Sequence, residues 1–324
     1  MALLAPNKAY KMNSVTVYEK IIPDGTRWKN ASKATKAGFA AGSLYKKQCK
    51  LTKNTGKVCS VTIHNTGDLK NVNDDAEQYT RATYNENMGS ARVHFYVDDI
   101  GAWQNLKAGT GLSDNDPIGS AEVSWHAGDG SITDGGNMTS LSIEIIMNES
   151  EEHDKKAYDN GARIAAWLLF HHGLGIENLV THTYWVNKSA GYHFDDPDVQ
   201  CTHKISGKKW CPTYIFASSN EAKALENWKK FKKTTKNYLK ELSDNKGQEP
   251  IAKIAKTFEP YKVKVLVDAL NIRSGAGTNY SIRGNIKDHG VYTIVEETAL
   301  GKGDLWGKLK SGVGWISLKY TKKL

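Results

Sequence analysis

The chain is short of cysteine, with four in 324 residues, at positions 49, 59, 201 and 211. They are too few and too irregularly spaced for a disulfide-stapled scaffold, so a hydrophobic core has to hold the fold. Cys49 and Cys59 are near enough in sequence to bridge a short loop in an oxidising place, and reduced thiols suit the spacing equally well. No apolar run approaches a membrane span, which excludes stable membrane insertion. The opening stretch, MALLAPNKAYKMNS, has no apolar segment of signal-peptide length, so we expect synthesis in the cytoplasm and action elsewhere only after release. A convincing carboxylate pair is also missing, and with it the chemistry of a glycosidase.

What remains is a globular composition, 39% hydrophobic and 24% charged, with length enough for two domains. The net charge of +9 is uneven: residues 251–324 carry 13 Lys/Arg against six Asp/Glu, or +7 of the total. Such asymmetry points to an anionic partner for the C-terminal part, either nucleic acid, a membrane surface or a cell wall. Nucleic acid is disfavoured because the basic tail lacks stacking aromatics interleaved with its Lys and Arg residues.

Along the chain, residues 1–50 read as a basic arm packed on the main domain, with a short strand within 14–22. Val58 to Gly67, VCSVTIHNTG, reads as a buried strand that ends on His64 and a turn. A helix is expected from Asn73-Asp74-Asp75 to about Glu86, then a strand over 92–98, RVHFYVD, and a short extended segment at Trp103-Gln104. Residues 109–136, containing WHAGDG, form a long loop of the kind that usually carries function. The strand LSIEIIM, 141–147, holds a single carboxylate, Glu144, among isoleucines. Burying it unpaired is costly, which favours a site-facing role over an edge position.

Residues 153–173 are the clearest helix, with Ala157, Gly161, Ile164, Ala165 and Leu168 on one face. His171 and His172 fall in its last turn, where a cation complements the helix dipole. A short strand at 178–181 ends on His182, and a polar excursion over 187–207 leads to Lys209-Trp210-Cys211-Pro212. A last helix is expected over 218–242, opened by a Ser218–Glu221 capping box, with Leu225, Trp228, Tyr238, Leu239 and Leu242 on its face. Residues 243–261 read as a linker. From 262 to 324 short alternating strands separated by glycine turns make a small β-barrel.

Two strand-end histidines and a Cys before Pro form a His-His-Cys set: three ligands plus an open position, the coordination of a catalytic zinc. Spacing alone does not fix it, and Cys211 reads equally as a buried structural thiol.

The ordered series VTIHNTG, RVHFYVD, WHAGDG, LSIEIIMN, NLVTHTYW and KKWCP resembles the zinc-dependent N-acetylmuramoyl-L-alanine amidases of the peptidoglycan-recognition type, which include phage endolysins and bacterial autolysins. The tail, NIRSGAGTNYSIRGNI followed by GVGWISLKY, resembles bacterial SH3-like cell-wall-binding domains. The resemblance implies an α/β catalytic domain over 1–242, a mixed central β-sheet flanked by helices, and an SH3-like all-β barrel over 262–324. It implies zinc as cofactor, bacterial peptidoglycan as substrate and a cell-wall ligand for the barrel. The absent leader then favours a phage endolysin, with a host autolysin or a non-catalytic peptidoglycan-binding module as alternatives.

Carried over by position, the resemblance makes His64 and Cys211 metal ligands and gives Glu144 the proton of the attacking water. Lys209 stabilises the oxyanion, while His126, Trp125 and Asn65 bind substrate. A tyrosine that many members carry before the His-Phe pair is replaced here by Val93, and His94 reads as a supporting residue. The second histidine ligand has two candidates. Spacing from the cysteine selects His203, whereas the strand-then-His-then-Trp pattern selects His182. The latter is preferred because a strand end holds a ligand more rigidly than a loop.

Overall fold

Apolar and polar residues alternate along strand β3 (Ser60–Asn65) in the computed structural model, and both sets are buried. The structure describes residues 4–22, 57–66, 74–85, 88, 91–130, 134–148, 150–217, 220–244, 260–278, 280–299 and 305–324. The chain divides into two units, Pro6–Ala252 and Lys253–Leu324 together with Met1–Ala5. Among the described residues no helix is long and apolar enough to cross a membrane.

In the larger unit β3 lies between β6 (Ser140–Ile145) and β7 (Leu179–Thr181), parallel to both. Beyond β6 come β4 (Phe95–Val97), β5 (Ala102–Gln104), β2 (Val15–Glu19) and β1 (Lys8–Met12), completing a mixed seven-stranded sheet flanked by helices. The edge pair β1–β2 is a two-residue hairpin whose Asn13 and Ser14 both have positive φ, the geometry that matches strand twist. It extends the sheet as a paired edge, and β1 was not expected from the sequence. Cys49 lies outside the described residues; Cys59 is an exposed free thiol.

One sheet face is apolar: Val61, Ile63, Phe95, Val97, Leu141, Ile143 and Ile145 are all fully buried. They share a core with the helices α3 (Glu151–His171) and α7 (Glu221–Asp244). The stripe on α3 is the expected one, and Gly161 lets the helix approach closely, since a Cβ there would lie 2.4 Å from Ile145 Cδ1. The buried stripe of α7 runs through Ala224, Trp228, Phe231, Thr235 and Leu242. Its start differs from expectation: Asn220 Oδ1 accepts from Lys223 N at 3.1 Å, while Ser218 lies outside the described residues.

His171 and His172 also differ from expectation. Their Nε2 atoms donate to the carbonyls of Gly109 and Ala108, and burial lowers both pKa values, His172 to about 4. His172 is therefore neutral near pH 7, so it ties down a loop instead of serving the helix dipole. That loop is held further by buried Asp116, which accepts from Gly109 N, Thr110 Oγ1 and Gln104 Nε2 at 2.7–2.9 Å.

The smaller unit is one all-antiparallel sheet ordered β10 (Ile282–Ile286), β9 (Leu270–Arg273), β13 (Trp315–Ser317), β12 (Leu305–Leu309), β11 (Val291–Ala299), β8 (Tyr261–Val265) and β14 (Thr321–Lys323). Val263, Val265, Leu270, Ile272, Ile286, Ile294, Leu309 and Ile316 form its core, an arrangement consistent with an SH3-like domain.

Candidate metal centre

The second face of the large sheet is polar and almost as buried as the first. Thr62, His64, His94, Tyr96, Ser142 and Glu144 occupy it, because residues two apart on a strand share a face. Central parallel strands are ordinarily apolar on both faces, so a buried polar face is a departure that chemistry has to justify. Register sets Glu144 directly beside His64 on one side and beside Tyr96 on the other.

His182 is the first residue of helix α4 (His182–Ser189), immediately after β7. Thr181 caps that helix by accepting from Tyr184 N, which fixes the backbone on which His182 stands. Cys211 is stitched to the same turn. Thr183 N and Oγ1 donate to the Cys211 carbonyl at 3.0 and 2.9 Å, and Cys211 N donates back to Thr183 Oγ1 at 2.9 Å. The nitrogen and sulfur ligand atoms of His64, His182 and Cys211 consequently lie within 4.8 Å of one another, all three residues buried. Cys211 Sγ is 3.9 Å from His64 Nδ1.

The donor set fits a metal ion. Tetrahedral zinc with N donors at ~2.1 Å and S at ~2.3 Å places donor atoms roughly 3.3–3.8 Å apart. The 3.9 Å between Cys211 Sγ and His64 Nδ1 is close to that range, and the set as a whole, within 4.8 Å, has to draw in slightly to bind. His182 Nδ1 is buried with no hydrogen-bond partner, an arrangement that costs free energy unless something else coordinates it. Burial, reinforced by Lys209, lowers the His182 pKa to about 3; burial and the neighbouring His182, His126 and Lys209 lower that of His64 well below its usual value. Both imidazoles are thus neutral and able to ligate. Burial pushes the Cys211 thiol up to about 12, so it keeps its proton until a cation displaces it.

His126 sits against this set. Its Nε2 donates to the Gly136 carbonyl at 3.1 Å, leaving Nδ1 to accept from His64 Nε2 at 3.0 Å. That chain of bonds leaves the His64 Nδ1 lone pair facing Cys211. The WHAGDG loop is itself anchored: Asn137 Oδ1 accepts from the amides of His126 and Ala127 at 2.7 Å each, and Asp129 Oδ2 accepts from Gly136 N at 2.5 Å. No sequence signal joined His126 to His64, because the contact crosses 62 residues and depends on how this loop folds over the sheet.

Glu144 is half-buried, and loss of hydration raises its pKa to about 7 against the opposing charge of Lys209. Lys209 is exposed, two residues before Cys211, with its charge acting on Glu144, His64 and His182. Val93 is buried and apolar; the tyrosine set beside Glu144 by register is Tyr96, whose hydroxyl lies 2.9 Å from Thr83 Oγ1. The alternation of RVHFYVD could have revealed it, since Tyr96 shares the parity of His94. His94 donates through Nε2 to the Glu122 carbonyl and bonds Ser142 through Nδ1, so it braces the sheet against the loop.

Asn65, Trp125 and His203, also expected at the site, have the following surroundings. Asn65 is buried, and its Oδ1 accepts from Tyr214 N at the start of helix α6 (Thr213–Phe216) while its Nδ2 donates to the Thr66 carbonyl. This amide joins β3 to the segment after Cys211. Trp125 is half-buried, and its carbonyl accepts from Arg92 N. His203 is not with the ligands: its Nδ1 lies 3.1 Å from Glu221 Oε2, and its ring packs on Phe194 and Tyr192.

Residues 54–214 match the family model described as N-acetylmuramoyl-L-alanine amidase. Among solved structures, the catalytic domain of XlyA is 24% identical, covering 68% of this chain and 98% of that one with a TM-score of 0.42. A mutant endolysin from Bacillus subtilis is 25% identical, covering 68% and 99% with a TM-score of 0.42. The Staphylococcus aureus hydrolase AmiA in complex with its ligand is 17% identical, covering 73% and 87% with a TM-score of 0.42. No curated protein matches the chain.

Proposed function

We propose that this protein is a peptidoglycan hydrolase that cuts the amide between N-acetylmuramic acid and the L-alanine of the stem peptide, with zinc held by His64, His182 and Cys211. The observation that carries this reading is the buried His-His-Cys set with a carboxylate of raised pKa one strand away. The family match over residues 54–214 supplies the substrate class. Zinc bound there would polarise the amide carbonyl and lower the pKa of an attacking water to ~7.

Glu144, poised near neutrality, takes the proton of that water and returns it to the leaving amine nitrogen. Lys209 presents a cation to the oxyanion that forms at the carbonyl oxygen. His126 orients His64 through the bond to its Nε2, which keeps Nδ1 unprotonated and facing Cys211, where it would ligate a metal. His126→Ala is therefore expected to weaken zinc binding about 10- to 100-fold, as loss of such an orienting partner typically does. Competition with a zinc-chelating dye measures this directly, and an unchanged affinity would remove His126 from the support of the site.

The C-terminal unit holds the enzyme on the wall in this reading, and the endolysin role is part of the same proposal. Its register sets Lys264 of β8 directly opposite Lys322 of β14, both exposed, with exposed Lys262 two residues along. Like charges placed directly opposite destabilise a sheet, so the pairing favours an anionic surface that relieves them.

The deciding experiment is mass spectrometry of digested cell wall. Free lactyl groups on muramic acid and new N-terminal alanine are expected, lost on chelation and restored by zinc. New reducing ends would instead mark a glycosidase, and chelation without effect would mark a reaction that needs no metal.

A further inference from the structure

His203 and the excursion over residues 187–207 are left without a role by the metal centre, yet the segment is tightly built. It contains helix α5 (Pro197–Thr202), which the sequence pattern did not suggest. Asn187 Nδ2 donates to the carbonyls of Gln200 and His203, both at 2.9 Å. Gln200 is buried, donates through Nε2 to the Tyr192 carbonyl at 3.0 Å and accepts from Phe194 N at 3.0 Å. Thr181 Oγ1 donates to the Cys201 carbonyl, and Trp210 Nε1 donates to the Thr202 carbonyl. Two buried amides and two flanking anchors thus fix the backbone on which three aromatic side chains stand.

Those side chains are Tyr192, Phe194 and His203. Tyr192 and Phe194 are near-parallel, 17° apart with centroids at 6.3 Å, a separation that displaces the rings sideways instead of covering one with the other. His203 closes the group at 4.8 Å from Phe194 and 5.3 Å from Tyr192. Tyr192 remains 44% exposed although its backbone is pinned on both sides. Glu221, beside His203, puts a carboxylate at the rim. A rigid, solvent-facing aromatic step with a polar edge matches the two surfaces of a pyranose ring, apolar C–H groups on its face and hydroxyls on its rim.

The position is also suitable. Asn187 is five residues along α4 from His182, roughly 7.5 Å at helical rise. Tyr192 N bonds the Asn187 carbonyl, and His203 precedes Cys211 by eight residues on the segment that returns to the site. The aromatic group is therefore tied through the backbone to the helix that carries His182 and to the segment that carries Cys211, which suits it to sugars that neighbour a bound muramic acid. We propose that Tyr192, Phe194 and His203 form a subsite that stacks a sugar of the glycan strand adjacent to the reacting residue. This inference rests on the amidase reading above and adds that the enzyme favours polymeric glycan over an isolated muramoyl peptide.

The test compares full-length wild type, Tyr192→Ala and Tyr192→Trp on two substrates, soluble peptide-bearing glycan chains and a single muramoyl peptide. The ratio of kcat/KM for chains to that for the single unit is expected to fall about tenfold in Tyr192→Ala, through KM, and to recover in Tyr192→Trp. A ratio unchanged in Tyr192→Ala, or not recovered by Tyr192→Trp, overturns the subsite. Equal loss on both substrates overturns it too and makes the aromatic group a support of the fold. Failure of the wild type to release an N-terminal alanine from either substrate is a separate result, and it counts against the amidase reading itself.

Discussion

Cys211→Ser is expected to abolish lysis of cell walls and to lower zinc affinity more than about 100-fold, beyond the range seen for an orienting partner alone. The serine hydroxyl does not ionise at neutral pH, so the centre would retain two neutral imidazoles and lose its one anionic donor. Folding should survive, because the bonds that hold residue 211 to Thr183 are made by its backbone. The wild type carries a further signature. Its thiol must lose a proton to bind, while His182 and His64 are already neutral. Zinc affinity should therefore rise about tenfold per pH unit between pH 6 and 8, corresponding to one proton released. Isothermal titration of both proteins across that range checks each statement. Wild-type affinity in Cys211→Ser, or a flat pH dependence in the wild type, would remove the thiolate from the centre.

Glu144→Gln separates proton transfer from metal binding. Loss of a positioned acid–base group typically costs 10²–10⁴-fold, so kcat/KM should fall by roughly that factor while zinc affinity stays within a few-fold of wild type. Wild-type activity should climb with pH as Glu144 ionises and becomes able to accept a proton, a step that burial shifts upward and a bound cation shifts back down. Stability runs the other way. Burial raises the Glu144 pKa from 4.5 to about 7, so between those values the native state holds a proton that the unfolded chain has released. The contribution is fully present below pH 4.5 and is lost as pH rises through 7. Metal-free Glu144→Gln should consequently gain Tm relative to wild type at pH 8 and show no such gain at pH 4.5. Thermal melts at both values measure the difference, and equal offsets would show that the carboxylate is well solvated in the native state.

Much of this architecture was legible because local signals agreed with one another. The face of α3 followed from apolar spacing, and Asp75 caps helix α1 (Ala76–Tyr84) by accepting from Gln78 N, as the Asn-Asp-Asp start implied. Strand β1 was missed because its sequence, KAYKM, carries two lysines and gains its place from pairing with β2 and from an Asn13-Ser14 turn. Helix α5 was missed because six residues are too short for periodicity to register, and its stability comes from Asn187 and Gln200. The cationic reading of His171 and His172 failed for a related reason: burial lowers their pKa values, and it arises where they pack against a loop more than 60 residues away.

The sequence by itself determined the strands that carry His64 and lead into His182, the isolated Glu144, and the change to an all-β pattern near residue 260. Each of these is written in short-range alternation and in residue types that pleated, half-buried backbone favours. Only the tertiary structure decided which histidine joins His64 and Cys211 within 4.8 Å, that His126 backs His64, and that His203 stands among aromatics. Those facts depend on register between parallel strands and on hydrogen bonds that bridge 28 to 147 residues, such as Thr183 to Cys211 and His64 to Cys211. Side-chain proximity of that kind is set by how the sheet and its loops close on each other, and no local pattern encodes it.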